Sequence, residues 1–379
     1  KLFLGGGAVS DILKISRCSF LIAGLLITTV NAVAQEDATA TRYQDVPAMA
    51  PVDGTIGYAI TGIFEAIYQT PGGIAECPEG MNLGPRERFV ALYPEGTHRP
   101  LVETQLNSEI RMWHPSPDDP EEFQYLEAQG PTALGLNLDG EISPNDFTHP
   151  DGTEGIDNQI YRLVGCLGGY RGPDGLYSFA YRQETRRRDN RLLIEITGVD
   201  DLSNDDEVIV NLYRGRDDMI TNAKGGQNYV AGGSQRIDTR MGSRTTQQTR
   251  GRIVDGVLTT EPIPEFLISY NFLNTISVQK FRDFRLQLRL TPTSAEGLSG
   301  GYVQTEAWMT HVNRNISSHH LAAGQTPTAQ MNQVIRRLAD AYPDPETGEN
   351  THISHAYEIE AIQVFIIHPD EEPGAANPN

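Results

Sequence analysis

Between residues 137 and 159 the chain reads NLDGEISPNDFTHPDGTEGIDNQ, and oxygen-bearing side chains crowd it. Asn137, Asp139, Ser143, Asp146, Asp151, Glu154 and Asp157 stand among glycines and prolines that let a backbone curl. A calcium ion takes roughly six to eight hard oxygen ligands, often from one flexible loop. This stretch therefore predicts a Ca2+ site built from those residues and completed by backbone or water oxygens. The neighbouring groups look like scaffold, so a bound ion would have a structural role. The competing expectation is an acidic surface loop held by Asx-turns, without metal.

Other chemistry is less well supported. Glu358 and Glu360 lie at i, i+2 in YEIEAIQVFIIH, and on a strand both point to one face. A retaining glycosidase needs two carboxyls roughly 5 Å apart across a sugar. The pair is thus the candidate catalytic set of a polysaccharide hydrolase, against the commoner reading of acids on a solvated strand. The E-x-D-x-x-E pattern of jelly-roll glucanases does not occur. His352 and His355 stand three apart, and His311, His319 and His320 follow Trp308. Zinc sites need more ligands at defined spacing, and with no supporting Cys or HExxH pattern these read as loop histidines. No G-x-S-x-G, S-x-x-K, C-x-x-C-H or phosphate-cradling glycine loop is present. Trp113, Trp308, Tyr170, Tyr177 and Tyr181 suit a sugar-stacking face or a core equally.

These residues need elements to hold them. In GYAITGIFEAIYQTPGG, Ile60, Ile63, Phe64, Ile67 and Tyr68 recur at helical spacing and Pro71 ends the run. That predicts a helix, with a buried strand as the competitor because both faces are apolar. Further helices are expected from Pro85, carrying Phe89, Val90 and Leu92, and from Leu101 to Trp113. After Cys166 the pattern turns to β. FRLQLRLT from Phe284 alternates without error, and Val208, Val210 and Leu212 alternate with Ile209, Asn211 and Tyr213. Arg191 to Val199 and Gly251 to Thr260 read as further strands. Thr328 to Tyr342 carries Met331, Val334, Ile335 and Leu338 at helical spacing, and Tyr357 to His368 is rich in β-branched residues. The expected fold is α+β: a helical N-terminal part plus an antiparallel β-sandwich with a C-terminal helix and strand.

The expected organisation is a signal peptide over 1–34, a flexible lead-in over 35–52 and a helical region with the acidic loop over 53–166. The β-sandwich follows over 167–368, with a disordered acidic tail over 369–379. Lys14 and Arg17 precede an apolar run from Phe20 to Val30, and Ala32-Val33-Ala34 is a small-x-small cleavage site. The run is short for a bilayer span, so the expectation is a periplasmic or secreted protein without a membrane span after cleavage. Removal of the signal leaves Cys77 and Cys166, an even pair expected to form a disulfide in an oxidising compartment. The net charge is −20, and after Gln35 only Lys224 and Lys280 remain among the lysines. Such an acidic surface argues against nucleic acid as a partner.

From Gly135 to Asp146 the loop resembles the calcium loop of EF-hands, in the version found in dockerins. In that register Asn137 takes the third position, Asp139 the fifth, Gly140 the turn, Ile142 the apolar eighth, Ser143 the ninth and Asp146 the twelfth. Gly135 occupies the first position, where the family has an Asp, and Pro150 cuts short an exit helix. Asp151, Glu154 or Asp157 would have to supply the missing ligand, and dockerins carry two such loops where one stands here. The strings C-P-E-G-M-N at Cys77, D-G-E-I-S-P-N-D-F at Asp139, G-I-D-N-Q at Gly155 and V-G-C ending at Cys166 resemble a group of uncharacterised exported bacterial proteins. That likeness extends to D-P-E-T-G-E-N and Y-E-I-E-A near the C-terminus and implies no activity. The resulting expectation is an exported calcium-binding protein, non-enzymatic or envelope-associated, with a glycan or an envelope protein as partner. The alternatives are a polysaccharide hydrolase and a structural accessory of an exported complex.

Overall fold

Residues 55–65 alternate isoleucine and tyrosine with smaller groups, and they form a strand, β1 (Thr55–Glu65). The computed structural model describes residues 51–369 apart from 71–74, 83–124, 173–174, 186–189, 227, 241, 243–245, 273–274 and 313–327. Its other strands are β2 (Leu192–Thr197), β3 (Asp205–Arg214), β4 (Gly233–Arg236), β5 (Gln247–Val254) and β6 (Val257–Thr260). They continue with β7 (Ile263–Phe272), β8 (Thr275–Leu290), β9 (Ser294–Gln304), β10 (Ala341–Pro343) and β11 (Asn350–Ile367). The helices are α1 (Gln159–Val164), α2 (Leu176–Thr185), α3 (Thr305–Val312) and α4 (Thr328–Leu338).

Eight strands close a ring in the order β1-β2-β3-β5-β6-β8-β9-β11, and β11 returns to β1. All ring pairings are antiparallel. Closure removes the open edges a sheet of this size would otherwise expose. It also divides every strand into a core side and an outer side. Ile194, Ile196, Val208, Val210, Leu286 and Leu288 belong to one buried cluster with Tyr58 and Tyr357, so the interior is packed with side chains. β7 extends the N-terminal half of β8, and β4 runs parallel to the end of β11.

The expected α+β sandwich is therefore corrected: the fold is mostly β, the sheet closes into a barrel, and the helical N-terminal part is absent from the described residues. The reason lies in β1. Its register against β11 shifts between Ile60 and Gly62, so Tyr58 and Ile60 on one side of the bulge, and Ile63 and Glu65 on the other, are all buried. That extra residue turns a two-residue period into the 60-63-67 spacing of a helix. Ala59 on the other side packs with Leu193 and Val364, which makes both faces apolar. The helices expected at 85–92 and 101–113 lie outside the described residues, as do the signal segment, nearly all of the lead-in and the tail from 370.

The later strands follow the alternation in the sequence. Phe284, Leu286, Leu288 and Leu290 are buried, as are Val208, Val210 and Leu212. The strand expected over 251–260 is a hairpin, β5–β6, turned at Asp255-Gly256. The helix expected over 328–342 stops at Leu338, and residues 341–343 form β10.

A disulfide joins Cys77 to Cys166, whose Cα atoms stand 5.7 Å apart, and ties the segment at 75–82 to the end of α1. Beside it Arg171 pairs with the buried Glu76 carboxylate and donates to Gly165 O at 2.7 Å. Burial pushes that carboxyl up, but Thr70 and Arg171 outweigh it and hold Glu76 down at about 2. The bridge spans 89 residues. On the chain-entropy model, closing such a loop stabilises by up to about 4–5 kcal/mol. A Cys77→Ala/Cys166→Ala variant should melt several degrees below the parent chain, read by calorimetry in non-reducing buffer.

Candidate functional site at the acidic loop

The acidic loop lies against the outer face of β9. Leu136 and Leu138 pack with Tyr302, and a Cβ on Gly300 would come within 3.2 Å of Leu138, so the bare strand lets the loop approach. From β8, Arg285 reaches outward and donates to the carbonyls of Asn137 (3.3 Å) and Leu138 (2.8 Å). The loop folds back through isolated bridges, Leu136 to Asp157 and Phe147 to Ile156. Gly155 makes that crossing possible: its φ is +77°, and a Cβ there would meet Asn137 Nδ2 and Glu141 O at 2.6 Å.

Local hydrogen bonds set each turn. Asn137 Oδ1 accepts from the Gly140 amide (2.6 Å), Asp139 Oδ1 from Glu141 (2.8 Å) and Asp146 Oδ2 from Ser143 (2.5 Å). Asp151 Oδ1 accepts from Thr153 (2.9 Å), and Asp157 Oδ2 from Leu138 (2.6 Å). The Asn137, Asp139 and Asp151 bonds are the Asx-type turns that short polar side chains favour, while Asp146 reaches back to Ser143 and Asp157 across the loop to Leu138. Among the described residues no group of three or more His, Cys, Asp or Glu side chains is arranged to hold a metal ion.

The acids are not evenly spread, however. Asp157 is 6% exposed, and its carboxyl is pushed up to about 7. Burial is the main cause. The charges of Asp139, Asp146 and Asp340 add to it, while the Leu138 amide works against them. Asp340, just after α4, is raised to about 6, again by burial first, with Asp146 adding; its bonds from the Ser354 amide (2.8 Å) and hydroxyl (2.5 Å) restrain the rise. The charges of Asp139, Asp146 and Asp340 thus act on Asp157, and of these Asp340 is the one that sequence reading missed. Asp340 is nearly two hundred residues away with no local motif. Its bonds from Ser354 hold it there, and Ser354 in turn accepts from the Gln159 amide at the start of α1 (2.9 Å). Asp151 and Glu154 instead lie on the exposed 149–154 turn, where Asp151 pairs with His149 and is held down at about 2 chiefly by the Thr153 amide. Ser143 is half-buried, and its amide serves the Asp146 turn.

A strained contact rims the same face. Tyr342 in β10 and Asp283 at the β8 bulge both have positive φ, 55° and 52°, and the tyrosine hydroxyl donates to the Asp283 carboxylate. A left-handed backbone is costly for a bulky residue and persists where its surroundings over-determine it. Here Arg282 lies 4.4 Å over the Tyr342 ring, and Tyr302 and His352 meet that ring at their edges. Burial, with Arg282 second, lowers His352 to about 4, so it is neutral.

Histidines expected in loops are otherwise placed. His352 and His355 are on β11, His311 is on α3, and His355 and His311 are both buried. His319 and His320 lie outside the described residues. Tyr170, Tyr177, Tyr181 and Trp308 belong to the core. Glu358 and Glu360 point outward from β11, opposite Phe64 and Gly62 of β1. Surrounding protein raises the Glu358 carboxyl, and the Glu360 charge adds to that.

Fold and site together define a filled β-barrel with an acidic loop packed on its outer face. No family model, curated protein or solved structure matches the chain.

The charge arrangement has a pH consequence. Asp157 and Asp340 hold protons in the folded state that the unfolded chain releases near the ordinary carboxylate value. Between those values the folded state binds more protons, so stability falls as pH rises from about 4 toward 7. A tenfold difference in proton affinity between the two states is worth roughly 1.4 kcal/mol before relaxation of the site. Urea unfolding in EDTA should therefore give a higher midpoint at about pH 5 than at about pH 8. Asp157→Asn, which keeps an acceptor for the Leu138 amide, should remove much of the difference.

Proposed function

We propose that this is an exported calcium-binding protein that acts by binding rather than by catalysis, with the acidic loop as its ion site. The supporting observation is that the Asp157 and Asp340 carboxyls are raised, by burial first, with the charges of Asp139, Asp146 and Asp340 adding at Asp157 and that of Asp146 adding at Asp340. A divalent cation is the partner that would relieve that repulsion. Asp139, Asp146 and Asp157 each accept a backbone amide with one oxygen, so the second oxygen of each is the one an ion would take. Closing on calcium requires these carboxylates to draw in from their present turns. Asp151 and Glu154, on the exposed turn, are peripheral in this reading. A glycan or an envelope protein is the partner we assign to the exposed rim.

The hydrolase alternative has the raised Glu358 carboxyl in its favour. Its two acids share one outer strand face instead of facing each other across a sugar.

Calcium held only by the folded state adds stability as RT ln(1 + [L]/Kd), about 4 kcal/mol at a thousand-fold excess over Kd. Millimolar Ca2+ should raise the melting temperature by several degrees over EGTA at fixed ionic strength, and Mg2+ should not reproduce the rise. Asp139→Ala should lose most of it, and Glu358→Gln should retain it. A metal-free sample that shows no shift would end the calcium reading.

A further inference from the structure

The disulfide frames a cleft. Its walls are the 77–80 turn, the 125–129 segment, Arg162 on α1 and Cys166 just beyond it, and its volume is about 290 Å³. It shares no residue with the acidic loop. The walls are tied to one another. The bridge joins Cys77 to Cys166, Gln129 N donates to Glu76 O (2.8 Å), and Ala128 N donates to Arg162 O (2.9 Å). Tyr125 adds a bond from its hydroxyl to Leu163 O. A cleft fixed in this way keeps its shape before a ligand arrives, which spares part of the ordering cost of binding. Ligand clefts start at roughly 300 Å³, so this one suits a single small molecule.

One cation stands in the wall. The Arg162 guanidinium lies 4.4 Å over the Phe147 ring and donates from Nη1 to Ala128 O (3.2 Å). Ala128 lines the cleft and Phe147 does not, so the ring backs the guanidinium and the carbonyl holds it at the cleft. Among the described residues Arg162 forms no ion pair. Glu127, the acid whose charge acts on it, is paired with Arg337 instead. Burial lowers the Arg162 pKa, as it does for a cation partly withdrawn from water. A guanidinium carries several N–H donors in a planar fork that matches a carboxylate, and one bond to Ala128 leaves donors to spare.

The other polar walls narrow the class of ligand. Glu127 is half-buried there, and Glu79 and Gln129 are exposed. Their oxygens accept hydrogen bonds, so they suit hydroxyl groups, and the two carboxylates repel a multiply charged phosphate. A fatty acid would leave these groups without partners. An ammonium gains little, because Arg337 already meets the Glu127 charge. We propose that the cleft binds one small sugar acid, of hexuronate size, with its carboxylate on Arg162 and its hydroxyls toward Glu127 and Gln129. The site takes a single residue or a chain end, and it does not rest on the calcium reading.

Titration calorimetry of the full chain in EGTA tests the assignment, with D-glucuronate, its methyl ester, inorganic phosphate and glycine as probes. Glucuronate should bind saturably. The ester keeps the ring and hydroxyls but lacks the charge, and it should bind weaker by about tenfold or more. Arg162→Met should weaken glucuronate binding by a similar factor. The ester comparison needs no variant, so it decides the matter even where Arg162→Met fails to fold. No saturable binding of glucuronate, an ester held as tightly as the acid, or phosphate or glycine held as tightly as glucuronate would each overturn the proposal.

Discussion

Hydrogen bonding between β1 and β11 is the constraint on which the rest of the structure depends. It joins Gly57 through Glu65 to Tyr357 through Val364 and turns an open sheet into a barrel. Only after closure does each strand have an inside and an outside. The inside takes the tyrosines, isoleucines and leucines of the core, and the outside of β9 becomes the wall against which the acidic loop lies. The β1 bulge and the β8 bulge adjust this ring at two places. The first keeps Ile60 and Ile63 both inside, and the second sets Asp283 where it meets Tyr342.

The loop and the wall supply each other's missing partners. Arg285 belongs to a strand whose outward positions would otherwise be solvated, and it takes up two loop carbonyls. In return the loop shields Leu298 and Tyr302 from water. The carboxylates gathered over this contact oppose the packing beneath them, because apolar residues draw the loop in while like charges push it apart. Burial of Asp157, with that repulsion adding, raises its carboxyl and ties its charge state to the packing of the face.

Much of the β architecture is legible in the sequence. The unbroken alternation from Phe284 to Leu290 and that of β3 mark strands correctly, since each has one wet and one dry face. The helical spacing of α4 is equally clear. β1 reads as a helix because its bulge, which leaves no local mark, imitates helical spacing, and the two apolar faces alone hint at a buried strand. Barrel closure cannot be read either, since a ring and a sandwich ask for the same alternation and differ only in which distant strands meet. The pairing of Cys77 with Cys166 is expected from their number alone, and the structure contains it. The loop residues are visible as a cluster, but Asp340 and the Glu65–His355 pair are not. Their partners come from opposite ends of the chain, and no spacing rule spans that distance.

The pairing of the first described strand with the last has a temporal side. Glu65 and His355, bonded in the core, are 290 residues apart in sequence. Contacts of such separation form late and slowly, because a long loop must close before they can contribute. On an emerging chain, β1 has one of its two neighbours only after everything between β1 and β11 has been made. Until then its inward face has no lid and the sheet has two exposed edges. The ring therefore acts as a check on its own strands: without β11 it is left as an open sheet with adhesive margins, and the arrival of β11 seals it.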